Sequence, residues 1–344
     1  MKALLLSSYR HLEIAEIPAP TLADGEVLVQ VAACGICGSD VHGYDGSSGR
    51  RIPPIVMGHE AAGTIAAIGP TGVTGFAAGD RVTFDSTIFC GECAYCLRRQ
   101  TNLCDHRRVL GVSCDDYRCN GAFAEYVVVP QRILYHLPAT LPFQEAAMLE
   151  AVSVAMHAVS LSDIHSGDTA LVVGAGMIGL LALQALRAAG CSRVYVTDVN
   201  TERLKLAADL GATAVLPAKK ESLVREILLL TNGTGVDVTV EAVGVGATVA
   251  NAVECTRKGG TVTMVGNLAA EVPLPLQKVV TRQIRLQGSC AIAGEYPRAI
   301  ESLANGQIKV KPLISAVAPL EQGAEWFDRL YSGNSNLMKV VLTP

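Results

Sequence analysis

Apolar and polar positions follow different patterns in the two halves of the chain, and the difference predicts two kinds of structure. In the first half, short β-rich runs such as 27–32, 61–68 and 123–129 are separated by Gly, Pro and Asp, as in strands joined by turns. From about residue 154, apolar runs such as TALVVG and RVYVTDV alternate with longer segments of helical period, such as MIGLLALQALRAAG. This alternation is typical of a parallel α/β sheet.

The pattern also predicts domain boundaries. Residues 1–153 are expected to form a mainly β domain, and residues 154–290 a doubly wound parallel sheet. The remaining segment, 291–344, is expected to return to the first domain with a helix near 296–303 and a strand near 339–342. A length of 344 residues fits two domains, and the fold class is α/β.

Composition narrows the class of partner. The chain is 50% hydrophobic and 17% charged, with a formal net charge of −4, so a nucleic-acid or membrane partner is not expected and a small polar substrate is favoured. The uncharged segment 169–186 is long enough for a bilayer, but its glycines predict a strand, a turn and a buried helix. The apolar run near the N-terminus is too short for a secretory signal, and a cytoplasmic protein is expected.

The run LVVGAGMIG predicts a dinucleotide site. Gly174 would turn the chain tightly, Gly176 would let the backbone approach a pyrophosphate, and Gly179 would let helix and strand pack closely. Asp198 ends the next strand, where a carboxylate binds a ribose diol and repels a 2′-phosphate, so NAD is favoured over NADP. The alternatives are a glycine turn that serves packing alone and an Asp that caps the helix beginning near Thr201.

Four cysteines with the spacing C-x2-C-x2-C-x7-C predict a structural zinc site. They are Cys90, Cys93, Cys96 and Cys104. Four thiolates in so short a segment suit a closed tetrahedral site, and an odd total of 11 cysteines argues against a disulfide framework. A redox or disulfide role, an iron–sulfur cluster and a nucleic-acid-binding zinc ribbon are the alternatives.

Two further segments predict a catalytic metal. CGICGSDVHGYDG and VMGHEAAG supply Cys37, His59 and a carboxylate, and Glu150 is a candidate from a third segment. A thiolate, an imidazole and a carboxylate are the ligands of a catalytic zinc that keeps one position open. Separately, each has another reading, since Cys34 and Cys37 could form a redox pair and His59 could be a core histidine.

With these motifs, the whole chain resembles the zinc-containing medium-chain dehydrogenases, in the branch of sorbitol and other polyol dehydrogenases and threonine 3-dehydrogenase. CGSDVH, GHEAAG, the four-cysteine segment, GAGMIG and TDVN carry the resemblance. It implies a GroES-like first domain and a Rossmann second domain. It also implies one catalytic and one structural zinc, with Cys37, His59 and either Glu60 or Glu150 as the protein ligands of the catalytic one.

The resemblance further implies roles around that zinc. Ser39 and His42 would relay the proton, and Asp40 would orient His59. Further cofactor contacts implied in the same way are Ile178, Arg203, Val265, Gly266, Ser289 and Cys290. Each of these could equally be ordinary packing at a strand end. The family also implies a homodimer or homotetramer.

The leading hypothesis is hydride transfer from a secondary alcohol of a polyol or sugar derivative to NAD. Sorbitol itself is disfavoured, because Ala291 and Ile292 stand where sorbitol dehydrogenases have an Arg-Tyr pair. L-Threonine 3-dehydrogenase is the second hypothesis, and a zinc-stabilised dinucleotide-sensing binding protein without turnover is the third. Cys191, Cys255 and Cys290 are expected to be small core residues.

Overall fold

The structure is a computed structural model that describes residues 1–218, 223–333 and 336–344. The chain forms two units. The first consists of Met1–Glu150, Ile292–Ala304 and Val310–Pro344, and the second of Ala151–Ala291 and Asn305–Lys309. Within the described ranges, no helix is long and apolar enough to cross a membrane.

The strands and helices are listed here in chain order. The strands are β1 (Lys2–Ser8), β2 (His11–Glu16), β3 (Glu26–Gly35), β4 (Ile55–Val56), β5 (Glu60–Ile68), β6 (Arg81–Phe84), β7 (Thr87–Ile88), β8 (Arg108–Val109), β9 (Val112–Ser113), β10 (Arg118–Cys119), β11 (Tyr126–Pro130), β12 (Leu134–His136), β13 (Thr169–Val173), β14 (Arg193–Asp198), β15 (Ala214–Pro217), β16 (Val236–Glu241), β17 (Thr256–Met264), β18 (Arg285–Gly288), β19 (Ile314–Pro319) and β20 (Lys339–Thr343). The helices are α1 (Gly38–Gly43), α2 (Ala94–Leu97), α3 (Phe143–Ala146), α4 (Leu149–Ser160), α5 (Met177–Ala188), α6 (Thr201–Asp209), α7 (Leu223–Leu230), α8 (Gly246–Cys255), α9 (Leu276–Thr281), α10 (Tyr296–Ala304) and α11 (Gly323–Tyr331). Short 3-10 turns cover Thr101–Leu103, Gln131–Ile133, Lys311–Leu313 and Leu320–Gln322.

The first unit is built mainly on antiparallel strands, and in its main sheet only the pair β19 and β20 runs parallel among the described residues. Its main sheet has the order β12-β6-β5-β3-β20-β19, with β11 paired to β3. In strand β3, Val27, Val29 and Val31 alternate with more exposed residues and face a common core. Such alternation is typical of an antiparallel sheet that buries one face. The C-terminal strand β20 pairs antiparallel with β3, with Val341 opposite Gly35, and Ile36 N donates to Val340 O at 2.9 Å just before α1 begins.

The second unit is a six-stranded parallel sheet with the order β15-β14-β13-β16-β17-β18. All five residues of β13 are buried, as expected for a strand covered on both faces. The order reverses beside β13, so the turn that follows this strand lies where doubly wound sheets bind their ligands. The uncharged segment 169–186 is therefore a strand, a turn and most of a helix, as predicted.

Several boundaries differ from the predictions. The first unit ends at Glu150 instead of residue 153, and the second continues to Ala291 instead of residue 290. The run 123–129 was expected to be one strand, but β11 begins at Tyr126 because Phe123 O accepts from Leu4 N, 2.8 Å away, in a different sheet. The segment Asn305–Lys309 belongs to the second unit instead of returning to the first. The buried amide of Gln184 fixes it there, donating to Lys309 O at 3.1 Å and accepting from Lys309 N at 2.7 Å.

Candidate active site and metal centres

Cys37 lies at the N-terminus of α1, where β3 ends. Its thiol sulfur accepts from Ser39 N at 3.5 Å and from Ser39 Oγ at 3.3 Å. Its own backbone N–H donates to Asp40 Oδ2 at 3.3 Å, which completes a capping box. These contacts place the Cys37 sulfur at the first turn of the short helix α1.

His59 and Glu60 enter the site from the start of β5, after Gly58 in a left-handed conformation (φ 93°). One ligand atom each from Cys37, His59 and Glu60 lies within 4.8 Å of the others. His59 and Glu60 are buried and Cys37 is half-buried. A sulfur, a nitrogen and an oxygen at this spacing fit around one zinc ion, whose ligand bonds are about 2.0–2.3 Å long.

Asp40 connects this group to a buried arginine. Asp40 is fully buried, and its Oδ1 accepts from Arg51 Nη2 at 2.9 Å and lies 3.4 Å from His59 Nδ1. Burial alone would raise the pKa of Asp40, but His59 and Arg51 offset it and hold the pKa well below its usual range. Nδ1 of His59 faces this carboxylate, so Nε2 is the nitrogen left for a metal.

Glu60 is paired with a lysine from the other end of the chain. Lys339 Nζ donates to Glu60 Oε2 at 2.5 Å and to Ile36 O at 3.1 Å, and both side chains are at least 97% buried. Gly35 makes the pairing possible, because a Cβ there would lie 2.5 Å from Glu60 Oε2. Burial tends to lower the pKa of Lys339, but Glu60 and Cys37 raise it above its usual value. One carboxylate oxygen is therefore held by a cation within the protein.

Glu150, the alternative ligand, opens α4 and does not belong to the group of three donors. Burial raises the pKa of Glu150 to about 7; nearby Glu60 also raises it, and His59 lowers it. The charge of Glu150 therefore interacts with those of His59 and Glu60. The carboxylate oxygen that lies close to Cys37 and His59 belongs to Glu60.

The two predicted proton-relay groups lie on α1. Ser39 and His42 are both exposed, and Ser39 Oγ lies 3.3 Å from Cys37 Sγ. Tyr44, which follows α1, has its hydroxyl bound to Arg10 O at 2.9 Å and to Asp328 at 2.8 Å. It is only 4% exposed, and its ring packs against Phe327 of α11.

The four-cysteine segment folds into a second candidate metal centre. Its ligand sulfurs lie within 4.8 Å of one another, and Cys90 Sγ lies 3.9 Å from Cys96 Sγ and 3.6 Å from Cys104 Sγ. These distances exclude disulfides, which need about 2.05 Å, and they match the spacing of about 3.8 Å around a tetrahedral zinc. Backbone N–H groups of Cys93 and His106 donate to the sulfurs at 3.4 and 3.3 Å.

In the glycine turn after β13, Gly174 and Gly179 are closely packed, whereas Gly176 borders open space. A Cβ on Gly179 would lie 1.8 Å from Gly174 O, and Gly174 itself has a φ of 99°. Gly176, at the N-terminus of α5, has nothing within 4 Å of its missing Cβ. The turn therefore has room beside free helix N–H groups for a phosphate group, which a helix N-terminus binds well.

Asp198 and Arg203 lie where the adenosine end of a dinucleotide was predicted. Asp198 accepts from Ala175 N at 2.6 Å and from Asn200 N at 2.7 Å. The alternative that Asp198 caps α6 is wrong, since Asn200 accepts from the N–H groups of Glu202 and Arg203. Nε of Arg203 is buried and has no partner among the described residues, as expected of a group that awaits a ligand.

The remaining predicted cofactor contacts sit at element ends. Ile178 is in the first turn of α5, and Val265 N and Gly266 N both donate to Glu241 O. Ser289 N donates to Met264 O at 2.9 Å, while its Oγ is buried without a partner among the described residues. Cys290 is exposed, so its assignment to the core was wrong; the assignment of Cys191 and Cys255 to the core is confirmed.

Comparison with known proteins agrees with this geometry. Residues 23–139 match the alcohol dehydrogenase GroES-like domain family, and residues 178–305 match the zinc-binding dehydrogenase family. The sorbitol dehydrogenase of Bacillus subtilis (strain 168) is 34% identical over 100% of this chain and 97% of that protein. The D-arabitol-phosphate dehydrogenase of Enterococcus avium is 34% identical over 98% and 95%. A zinc-binding dehydrogenase from Sinorhizobium meliloti 1021, solved with NADP bound, superposes with a TM-score of 0.91 at 32% identity, covering 100% and 99%.

Fold and site therefore define an alcohol dehydrogenase built from a GroES-like and a Rossmann domain. The chain belongs to the zinc-containing medium-chain dehydrogenase family, among relatives of the sorbitol dehydrogenase type. The predictions of fold class, family and enzyme class are confirmed. Membership of an enzyme family argues against the hypothesis of a dinucleotide-sensing binding protein without turnover.

Two buried cations of the site were missed from the sequence. Arg51 lies in the loop SSGRRIPP, and Lys339 in the C-terminal run LMKVVLTP. A lysine within an apolar strand is a weak signal, since burial without a partner would be costly. Arg51 carries no such signal, because it lies in a loop beside Arg50, which is exposed.

Proposed function

We propose that this enzyme transfers a hydride from a secondary alcohol of a polyol or sugar derivative to NAD, with zinc held by Cys37, His59 and Glu60. The observation that carries the proposal is the convergence of these three donors within 4.8 Å in a chain that also contains the open glycine turn at Gly176. Zinc at such a site lowers the pKa of an oxygen ligand and so helps an alcohol lose its proton. We also propose a second, structural zinc on Cys90, Cys93, Cys96 and Cys104.

The protein's own residues then handle the proton. Ser39 has its hydroxyl next to the Cys37 sulfur and is exposed, so it can accept a proton from a substrate hydroxyl that enters there while it gives up its own proton toward His42. His42 lies one turn further along α1 and is also exposed. With a usual pKa near 6.5, an imidazole is suited to pass the proton to water.

NAD is the proposed cofactor because of Asp198. Its carboxylate is fixed by two backbone N–H groups at the end of β14. A fixed negative charge accepts hydrogen bonds from a ribose diol and repels a 2′-phosphate. The Sinorhizobium relative binds NADP, so the preference must be measured on this chain. Replacing Asp198 with Asn should reduce the ratio of kcat/KM for NAD over NADP by about tenfold or more.

Two observations support the proposed substrate class: the names of the relatives and a difference in sequence. Relatives named for sorbitol and D-arabitol phosphate match over nearly the full chain. Ala291, with a φ of 51°, and Ile292, which is 1% exposed, offer no polar side chain to fix a sorbitol chain. Another polyol, a polyol phosphate or a sugar acid is therefore favoured over sorbitol.

The test is NADH formation by the zinc-replete enzyme with a panel of polyols, polyol phosphates, sugar acids and L-threonine. Turnover of one of the first three classes, lost with a chelator and much weaker with NADP, is the expected result. Turnover of L-threonine alone would replace the substrate proposal with the threonine 3-dehydrogenase hypothesis. Turnover that a chelator does not reduce would contradict the proposed role of Cys37, His59 and Glu60.

The cytoplasmic location and the homodimer or homotetramer stay predictions. Cell fractionation tests the first, and light scattering tests the second.

A further inference from the structure

Arg51 is a buried arginine whose whole guanidinium group is used inside the first unit. It is 4% exposed. Nε and Nη2 lie 3.3 and 2.9 Å from Asp40 Oδ1, and Nη1 donates to Arg50 O at 2.9 Å. Nη2 also lies 3.4 Å from Ser39 Oγ. An arginine so enclosed loses much side-chain entropy and hydration, so its contacts must matter to the fold or to the site.

Backbone and side-chain packing fix Arg51 on α1. The residue forms an isolated bridge with Ser113, and Ile52 N donates to Ser113 O at 3.1 Å. Its aliphatic stem crosses Gly43, where a Cβ would lie 2.1 Å from Arg51 Cγ and 2.9 Å from Arg51 Cβ. Gly43 therefore has no side chain where the arginine passes, and the guanidinium is directed at Asp40 three residues earlier on the helix.

Asp40 in turn contacts two of the three proposed metal ligands. Its Oδ2 accepts from Cys37 N at 3.3 Å, and its Oδ1 lies 3.4 Å from His59 Nδ1. A carboxylate held on one oxygen by two donors of a planar guanidinium cannot rotate freely, and lysine cannot reproduce that geometry. The orientation of Asp40 therefore fixes the start of α1 and sets the position of the carboxylate that faces the His59 ring.

We propose that Arg51 is a positioning residue for the metal centre: it locks Asp40, and through Asp40 it sets the Cys37 sulfur and the His59 ring for metal binding. The proposal rests on the proposed function, since it requires a metal at Cys37, His59 and Glu60. Partners that orient metal ligands typically change metal affinity by about 10–100-fold when removed. Arg51 contacts the metal ligands only through Asp40, so we expect its removal to lower zinc affinity by about tenfold.

The experiment measures zinc affinity of the full-length protein by competition with a chromophoric chelator, without reference to turnover. Arg51→Met removes the guanidinium, Arg51→Lys keeps the charge but not the fork, and Arg50→Met is the matched control for one lost charge in the same loop. Zinc on the four cysteines serves as an internal reference. The fluorescence of Trp326, the single tryptophan, reports whether the first unit is folded.

We expect Arg51→Met to weaken the zinc site of Cys37 by about tenfold or more, with the four-cysteine site and Arg50→Met at wild-type affinity. Arg51→Lys should recover less than half of the loss in binding free energy. In cobalt-substituted protein, the absorption of the Cys37 site should also change in Arg51→Met, because the ligands are no longer held in one geometry. Gly43→Ala, which displaces the arginine stem without removing a charge, should weaken the same site.

Wild-type zinc affinity in folded Arg51→Met, with only a lower melting temperature, would overturn the proposal and leave Arg51 a purely structural residue. Equal weakening in Arg50→Met would also overturn it, because the effect would then be one of net charge. If wild-type protein binds zinc on the four cysteines alone, the proposed function fails first, and the role of Arg51 fails with it.

Discussion

The ion pair between Lys339 and Glu60 offers a direct test of the electrostatics of the site. Both side chains are at least 97% buried, and Lys339 Nζ also donates to Ile36 O. Lys339→Met removes the ammonium group but retains most of the side-chain volume, so little cavity is left. The carboxylate of Glu60 would then be a buried charge without its cation.

The expected size of the effect follows from that burial. Breaking a buried pair by removing one partner costs about 3–5 kcal/mol, whereas replacing both partners with neutral groups is often close to neutral. Lys339→Met and Glu60→Gln should each lower the free energy of unfolding by about 3 kcal/mol. The double variant should lie within about 1 kcal/mol of wild type.

Urea unfolding followed by Trp326 fluorescence reports on this pair, because the single tryptophan lies in the same unit. With an m value of about 2 kcal/mol/M, a loss of 3 kcal/mol moves the midpoint by about 1.5 M. The coupling should be larger with a chelator present, since zinc would otherwise compensate part of the Glu60 charge. Lys311→Met, at an exposed lysine of the same unit, should shift the midpoint little. If the double variant loses the sum of the two single losses in free energy of unfolding, the two side chains are not coupled and the reasoning about the buried pair is refuted.

Three further predictions concern other parts of the chain. Gly176→Ala should keep the stability of the second unit but lose NAD binding, whereas Gly179→Ala should cost about 3 kcal/mol or more because its Cβ would overlap Gly174 O, measured by calorimetry. Burial raises the pKa of Asp85 to about 6, so its carboxyl destabilises the fold increasingly as pH rises from about 4 to 6. Asp85→Asn should therefore gain about 2–3 kcal/mol at pH 8 and about half of that at pH 5 in urea titrations. Cys37→Ala should lose one zinc by metal analysis and abolish turnover while still binding NAD, whereas Cys96→Ala should mainly lower the melting temperature; equal insolubility of both would contradict separate catalytic and structural sites.

Local signals in the sequence predicted most of the elements that hold the candidate sites. The glycine turn, its strand and its helix lie within 20 residues of one another, and the four cysteines lie within 15. In such segments the backbone itself sets the distances, so spacing along the chain translates into spacing in space. The same holds for Cys37 and Asp40, which are joined by the first turn of α1.

Predictions failed where a segment hydrogen-bonds to residues that are distant in the sequence. Phe123 was expected in a strand, but it hydrogen-bonds to β1, and the segment Asn305–Lys309 is held by Gln184. Hydrophobic patterning says that such residues are buried, yet it does not say which sheet or helix they meet.

The sequence by itself determined the α/β fold class and the family, and it marked the four-cysteine segment, the glycine turn and Cys37, His59, Glu60 and Glu150 as candidates. Only the tertiary structure grouped Glu60 with Cys37 and His59, and only it revealed Lys339 and Arg51 as the cations behind them. Lys339 reaches Glu60 across 279 residues of chain because β20 pairs with β3. Contacts of that kind depend on strand pairing and on the space left by Gly35 and Gly43, which short-range patterns do not encode.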